Sequence, residues 1–117
     1  MVGASVSRPE KECRERILAL ARGCAELLGL PSADERHVEL RDARGPGYGS
    51  PSPEGEEAAR LGATTEGLLL DPVFTAKAMA ELIALVRDGL SGPVVFLHTG
   101  GMATLLDTSC SNEEGLK

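Results

Sequence analysis

Tyr48, Thr75, His98 and Thr99 are the side chains of this sequence best suited to touching a ligand. A phenol, two hydroxyls and an imidazole can each donate or accept a hydrogen bond. They sit in stretches otherwise rich in glycine or apolar residues. Tyr48 lies in R-G-P-G-Y-G-S-P-S-P (44–53), Thr75 in T-E-G-L-L-L-D-P-V-F-T-A-K-A-M-A (65–80), and His98 and Thr99 in V-V-F-L-H-T-G-G (94–101). Phe74 precedes Thr75, and Gly100 follows Thr99 in a glycine pair that lets backbone approach a ligand closely. This set suits a flat, polar molecule. Each member also has a plain structural reading. A lone tyrosine in a Gly/Pro loop anchors packing more often than it does chemistry. Phe74 reads first as core, and His98, with no carboxylate or cysteine beside it in sequence, as structural. Lys77 reads as a solvated charge on a helix face.

Other chemistries find no motif. The sequence holds no G-x-G-x-x-G, P-loop lysine, H-E-x-x-H or G-x-S-x-G, so dinucleotide binding, phosphoryl transfer, zinc proteolysis and serine hydrolysis have no support. Three cysteines, Cys13, Cys24 and Cys110, are odd in number and widely spaced, which fits reduced thiols rather than a disulfide framework or a metal site. A net charge of −6 with arginines scattered among acids argues against a nucleic-acid or anionic-membrane surface. Although 42% of the 117 residues are hydrophobic, no apolar run approaches the length that crosses a bilayer. Met1 to Pro9 lacks the basic-then-apolar order of a signal peptide, so a soluble, cytoplasmic protein is expected.

The elements that must position these residues alternate. Val2 to Val6 reads as a strand, and Ser7 with Glu10 as a capping box for a helix over 8–28. The apolar face of that helix is expected at Cys13, Ile17, Leu20, Cys24, Leu27 and Leu28, with Gly29 as the stop. His37 to Leu40 alternates like a half-exposed edge strand, and the Gly/Pro-rich 44–53 stretch must be a loop. Ser52 caps a second helix with Pro53 at its first position, and its core contacts are expected at Ala58, Ala59, Leu61 and Gly62. Gly67 to Leu70 is a strand apolar enough to be covered on both faces. Asp71 and Pro72 open a third helix with Met79, Leu82, Ile83 and Val86 inward, and Val94 to Leu97 is a last strand. The order β-α-β-α-β-α-β predicts an α/β layer on an open, mainly parallel sheet over residues 1–106, followed by a disordered polar tail over 107–117. In such sheets ligands lie beyond the carboxyl ends of the strands, where the three stretches above would meet.

Taken in order, S-V-S-R-P, G-Y-G-S-P-S-P-E-G, T-E-G-L-L-L-D-P-V-F-T-A-K-A-M-A and H-T-G-G resemble the C-terminal part of the pyridoxal-phosphate lyases that include D-cysteine desulfhydrase and 1-aminocyclopropane-1-carboxylate (ACC) deaminase. The resemblance covers about Val2 to Leu105 and implies the tryptophan-synthase-β-like fold (PLP fold type II). It implies that Tyr48 touches substrate and that Thr75 faces the pyridine nitrogen of pyridoxal 5'-phosphate. Phe74, His98, Thr99 and Gly100 would line the site. Thr75 is similar to the desulfhydrase branch, since the deaminase branch carries glutamate there. Phe74 departs from the family's tyrosine, Ala76 from its usual glycine, and the 88–93 connector is shorter. In this group the lysine that bonds the cofactor, a nearby serine and the glycine-rich phosphate loop lie before the strand that here begins at Val2. The expectation is therefore a C-terminal fragment of a desulfhydrase-like enzyme, inactive alone, whose parent eliminates sulfide and ammonia from a small amino acid to leave a 2-oxo acid. A missing N-terminal half or a second copy of the chain would be its partner. Three alternatives stand beside it: a deaminase-like fragment, a non-catalytic partner completing a split enzyme, and a small α/β module binding an anionic metabolite at helix N-termini.

Overall fold

A computed structural model describes residues 1–105, and the expected disordered tail and Cys110 lie outside the described residues. Strand β1 (Val2–Ser5) leads into helix α1 (Glu10–Leu28), and a 3₁₀ turn (Glu35–His37) leads into strand β2 (Glu39–Asp42). Helices α2 (Pro53–Glu66), α3 (Thr75–Arg87) and the short α4 (Met102–Leu105) complete the order. The two strands pair in parallel, Val2 against Glu39 through Ser5 against Asp42, so α1 is the crossover of one β-α-β unit.

The first core lies between α1 and β2, where Leu18, Val38 and Leu40 are buried with Cys13 and Ile17 packed against them. The expected apolar face of α1 is therefore rotated. Leu18 and Ala25 turn inward, whereas Leu20, Leu27 and Leu28 are exposed, at 71%, 88% and 70%. Residues 14, 18 and 25 share one face of a 3.6-residue helix, and Arg14 on it donates to the Val38 carbonyl at 2.6 Å, which fixes the rotation. The helix also begins later than the expected capping box requires. Pro9 occupies the cap without a side-chain bond, and the Ser7 hydroxyl accepts from Arg8 instead. Gly29 ends α1 in the left-handed conformation, as expected.

The second core lies around α2 and α3, with Ala58, Leu70, Val73 and Ala76 buried. Ser52 caps α2 by accepting from the Gly55 amide at 3.2 Å, with Pro53 in the first turn. Of the contacts expected on α2, Ala58 is buried and Ala59 and Gly62 half-buried, while Leu61 faces solvent. On α3, Leu82 and Ile83 are half-buried and Val86 is exposed. Leu70 packs beside Gly62 of α2, whose Cβ position lies at ordinary contact distance, 3.5 Å, from the Leu70 Cδ1.

Two expected strands are absent among the described residues. Gly67–Leu70 and Val94–Leu97 join no ladder, and the sheet has only β1 and β2. A strand exists through its neighbour's hydrogen bonds, and no neighbouring backbone pairs with 94–97 here. Val95 and Leu97 are 92% and 78% exposed as a result. Gly67 instead ends α2 in the left-handed conformation. The α/β class, a small parallel sheet with flanking helices, is as expected.

Candidate functional site

Between β1, α3 and the 94–101 stretch lies a cleft of about 830 Å³. Gly3 and Ala4 of β1 form one wall, Phe74 with Thr75, Ala78 and Leu82 of α3 the floor, and Val94 to Leu97 with Thr99, Gly100 and Gly101 the other wall. Most of this surface is apolar, and of its polar groups Asp71 and Thr75 gather at the start of α3, while Glu81 and Thr99 lie elsewhere on the lining.

The sequence Asp71-Pro72-Val73-Phe74-Thr75 explains that gathering. The first amides of a helix have no carbonyl partner inside it, and an aspartate placed before them can accept several at once. Asp71 Oδ1 accepts from the Val73 and Phe74 amides at 3.1 and 2.8 Å, and Oδ2 from the Thr75 amide at 2.9 Å. The Thr75 hydroxyl also donates to Oδ2, at 2.6 Å, while its oxygen accepts from the Asp71 amide at 2.9 Å. Helix α3 accordingly starts at Thr75, not at Asp71 as the sequence suggested. Burial pushes the Asp71 carboxyl up, but the bonds from Thr75, Phe74 and Val73 together outweigh it and hold the group below the usual carboxylate range. Asp71 is thus an anion near neutral pH, and the only hydroxyl proton of Thr75 is committed to it. One lone pair of the Thr75 oxygen remains for a ligand.

The expected site residues divide. Phe74, Thr75, Thr99 and Gly100 line the cleft together. Tyr48 does not line it. Its side chain is 69% exposed, and its ring stands against that of Phe74 with centroids 5.9 Å apart, tilted by 58°. His98 turns away from the cleft: its Nδ1 accepts from the Gly100 amide at 3.1 Å, which leaves the proton on Nε2 to meet the Leu69 carbonyl at 2.9 Å. Both ring nitrogens are engaged, so His98 works here as a staple between 94–100 and 67–70, with the Phe96 ring edge-on to it at 6.5 Å.

Pattern reading brings Asp71 and Gly101 to the site as parts of converging stretches without showing what they do, and it puts Lys77 in solvent. Asp71 looks like a turn residue, yet its carboxylate organises the whole α3 terminus. Gly101 has φ +100°, and a Cβ there would run into the Asp71 carboxylate. Lys77, expected in solvent, is only 2% exposed, and its ammonium donates to the carbonyls of Arg44 at 2.7 Å and Gly47 at 3.1 Å. Its position two residues after Thr75, next to a helix start, was the only available signal.

Comparison with known proteins follows the same stretches. No family model matches the chain. D-cysteine desulfhydrase of Salmonella newport (strain SL254) is 42% identical over 112 residues, which is 90% of this chain and 33% of that protein. The same protein from Salmonella heidelberg (strain SL476) matches equally. A solved ACC deaminase homologue superposes with a TM-score of 0.78 at 36% identity, covering 88% of this chain and 31% of that one. The chain is a relative of D-cysteine desulfhydrase. It spans about a third of the length of the relatives it matches. At this identity the fold of the ACC deaminase homologue, PLP fold type II, is also the fold of this chain over the matched residues.

The residues can be tested against a flat pyridine cofactor. Gly100 and Gly101 leave room at the wall, and Thr75 offers its oxygen at the floor. That oxygen has an open lone pair but no spare proton, so it suits a ring nitrogen that carries hydrogen, whereas an unprotonated nitrogen would have to draw the hydroxyl away from Asp71. Among the described residues no lysine side chain lines the cleft, and Lys77 is held by the 44–47 carbonyls. The fit is that of one side of a cofactor site.

Proposed function

We propose that this chain forms the ring-nitrogen and substrate side of a D-cysteine desulfhydrase-like site for pyridoxal 5'-phosphate, within a protein that eliminates sulfide and ammonia from a small amino acid. The observation that carries the reading is Thr75 locked to Asp71 at the floor of a cleft walled by Gly100 and Gly101. When bound, the cofactor supplies the electron sink. What this chain supplies is position and shape. Asp71 fixes the Thr75 oxygen, Thr75 and Gly100 meet the ring edge, and Phe74 closes the substrate side by apolar contact, with the Tyr48 ring set against it from outside the cleft. Phe74 has no hydroxyl, so of these two rings only Tyr48 could hold a proton, and it would have to turn from its place outside the cleft to reach a substrate.

An amine to bond the cofactor must come from outside the described residues or from another polypeptide. The test is incubation of the 117-residue chain with pyridoxal phosphate, borohydride reduction and peptide mapping. The reading expects no cofactor fixed to Lys11 or Lys77; stoichiometric labelling of either would overturn it. Mixing with the remaining two thirds of a D-cysteine desulfhydrase should then produce cofactor absorbance that Thr75→Val weakens, and equal absorbance with the variant would remove Thr75 from the site.

A further inference from the structure

We propose that Lys77 is a positioning residue, whose buried ammonium clamps two successive turns of the 44–50 loop and thereby sets Tyr48 against Phe74. The loop cannot hold itself by regular pairing, because Gly45, Pro46, Gly47, Gly49 and Pro51 interrupt any ladder. Its own bonds are two turn closures. The Gly47 amide donates to the Arg44 carbonyl at 3.2 Å, and the Ser50 amide to the Gly47 carbonyl at 3.4 Å, at the long end of the range. The acceptors of those two closures, Arg44 and Gly47, are the same two carbonyls that receive the Lys77 ammonium, at 2.7 and 3.1 Å. One cation therefore ties both turns to α3.

Tyr48 is the second residue of the second turn, so its backbone direction follows from where the Gly47 carbonyl is held. Phe74 lies on the other side of the clamp, three residues before Lys77 on the segment that enters α3, and the two rings meet at 5.9 Å. Bonds from a charged donor are about twice as strong as neutral ones, which suits a clamp on an otherwise weakly bonded loop. Gly55 of α2 and Gly45 of the loop flank the Lys77 side chain, their Cβ positions lying at ordinary contact distance from it, 3.5 Å from the Lys77 Cγ and 3.8 Å from the Lys77 Nζ. Among the described residues no carboxylate forms an ion pair with Lys77, so the carbonyls are its counter-dipoles.

The consequence for substrate rests on the reading of Tyr48 given above, but the clamp itself does not. Its test therefore uses neither cofactor nor turnover. Backbone order parameters of the 117-residue chain are compared for the unaltered protein and for Lys77→Met, which keeps the buried stem and removes the ammonium. The amides of Tyr48 and Gly49 should fall from the rigid range near about 0.85 to below about 0.6, while α2 and α3 keep theirs. The single tyrosine of a chain without tryptophan gives an independent reading, since fluorescence anisotropy then reports Tyr48 alone and should drop in the variant. Unchanged values at Tyr48, or loosening spread evenly over α2 and α3, would overturn the clamp. Should the variant not fold, the unaltered chain decides: the Lys77 ammonium protons should show through-space correlations to the Gly47 and Tyr48 amide protons, and their absence would refute the proposal. None of these outcomes depends on whether pyridoxal phosphate binds.

Discussion

Replacing Thr75 by valine removes one oxygen and keeps the shape, so it isolates the hydroxyl that links the cleft floor to Asp71. Two bonds disappear. The first is the 2.6 Å bond to the Asp71 carboxylate, of the kind worth about 1.5–3 kcal/mol because one partner is charged. The second leaves the buried Asp71 amide, now 2.9 Å from its acceptor, without a partner, at about 1–3 kcal/mol. The carboxylate keeps three backbone amides, which moderates the first loss, and a combined effect of about 3 kcal/mol is expected. Against a domain stability of about 5–15 kcal/mol this is large. In urea unfolding, with a slope of about 1.5 kcal/mol/M, the midpoint should fall by about 2 M at neutral pH. Thr75→Ser retains both bonds and loses one methyl, at about 1 kcal/mol. The difference between Thr75→Val and the unaltered chain should shrink in acid, once the pH falls below the usual carboxylate range and Asp71 takes up a proton. A midpoint shift under about 0.3 M for the valine variant, or a serine variant as unstable as it, would show that the hydroxyl does not hold the α3 terminus.

Acid should destabilise the chain for a stated reason. The folded carboxyl of Asp71 lies below its usual range, and hydrogen bonding from Arg44 draws that of Asp42 down to about 2, so both favour the folded state above the unfolded value near about 3.9 and lose that contribution as pH falls toward the folded one. Urea midpoints should therefore be level from pH 7 to pH 5 and decline from pH 4 to pH 2, with Asp42→Asn flattening part of the decline. Ser52→Ala should cost about 1–2 kcal/mol in thermal or urea unfolding, because Ser52 is buried and caps α2. Gly101→Ala should destabilise by more than Gly92→Ala, although both glycines have φ near +100° (+100° and +96°). A Cβ at Gly92 meets nothing within 4 Å, whereas one at Gly101 meets the Asp71 carboxylate; equal melting temperatures for the two variants would contradict that crowding.

Much of the local structure was legible because local chemistry decides it. Gly29 and Gly67 stop helices by adopting positive φ, and Ser52-Pro53 starts one by capping and preset φ. These effects act over a few residues. The rotation of α1 was not legible, since Cys13, Ile17, Leu20, Cys24, Leu27 and Leu28 and the alternative set around Leu18 and Ala25 both satisfy helical spacing. The bond from Arg14 to the Val38 carbonyl chooses between them, and it joins residues 24 apart. The strands at 67–70 and 94–97 were read from apolar runs alone, but a strand needs a paired neighbour, which a run of residues cannot announce.

At the site, the sequence alone determined which short stretches bear the chemistry and that four of them, in order, resemble one group of lyases. Comparison with D-cysteine desulfhydrase and a solved ACC deaminase homologue agrees with that resemblance over about nine tenths of the chain. Only the tertiary structure decided what each group is free to do. The Thr75 proton is committed to Asp71, both nitrogens of His98 are occupied, Tyr48 stands against Phe74 outside the cleft, and Lys77 lies buried beneath the glycine loop. The physical reason is that a residue type states which bonds a side chain can make, whereas the partners that use them come from segments up to 33 residues away.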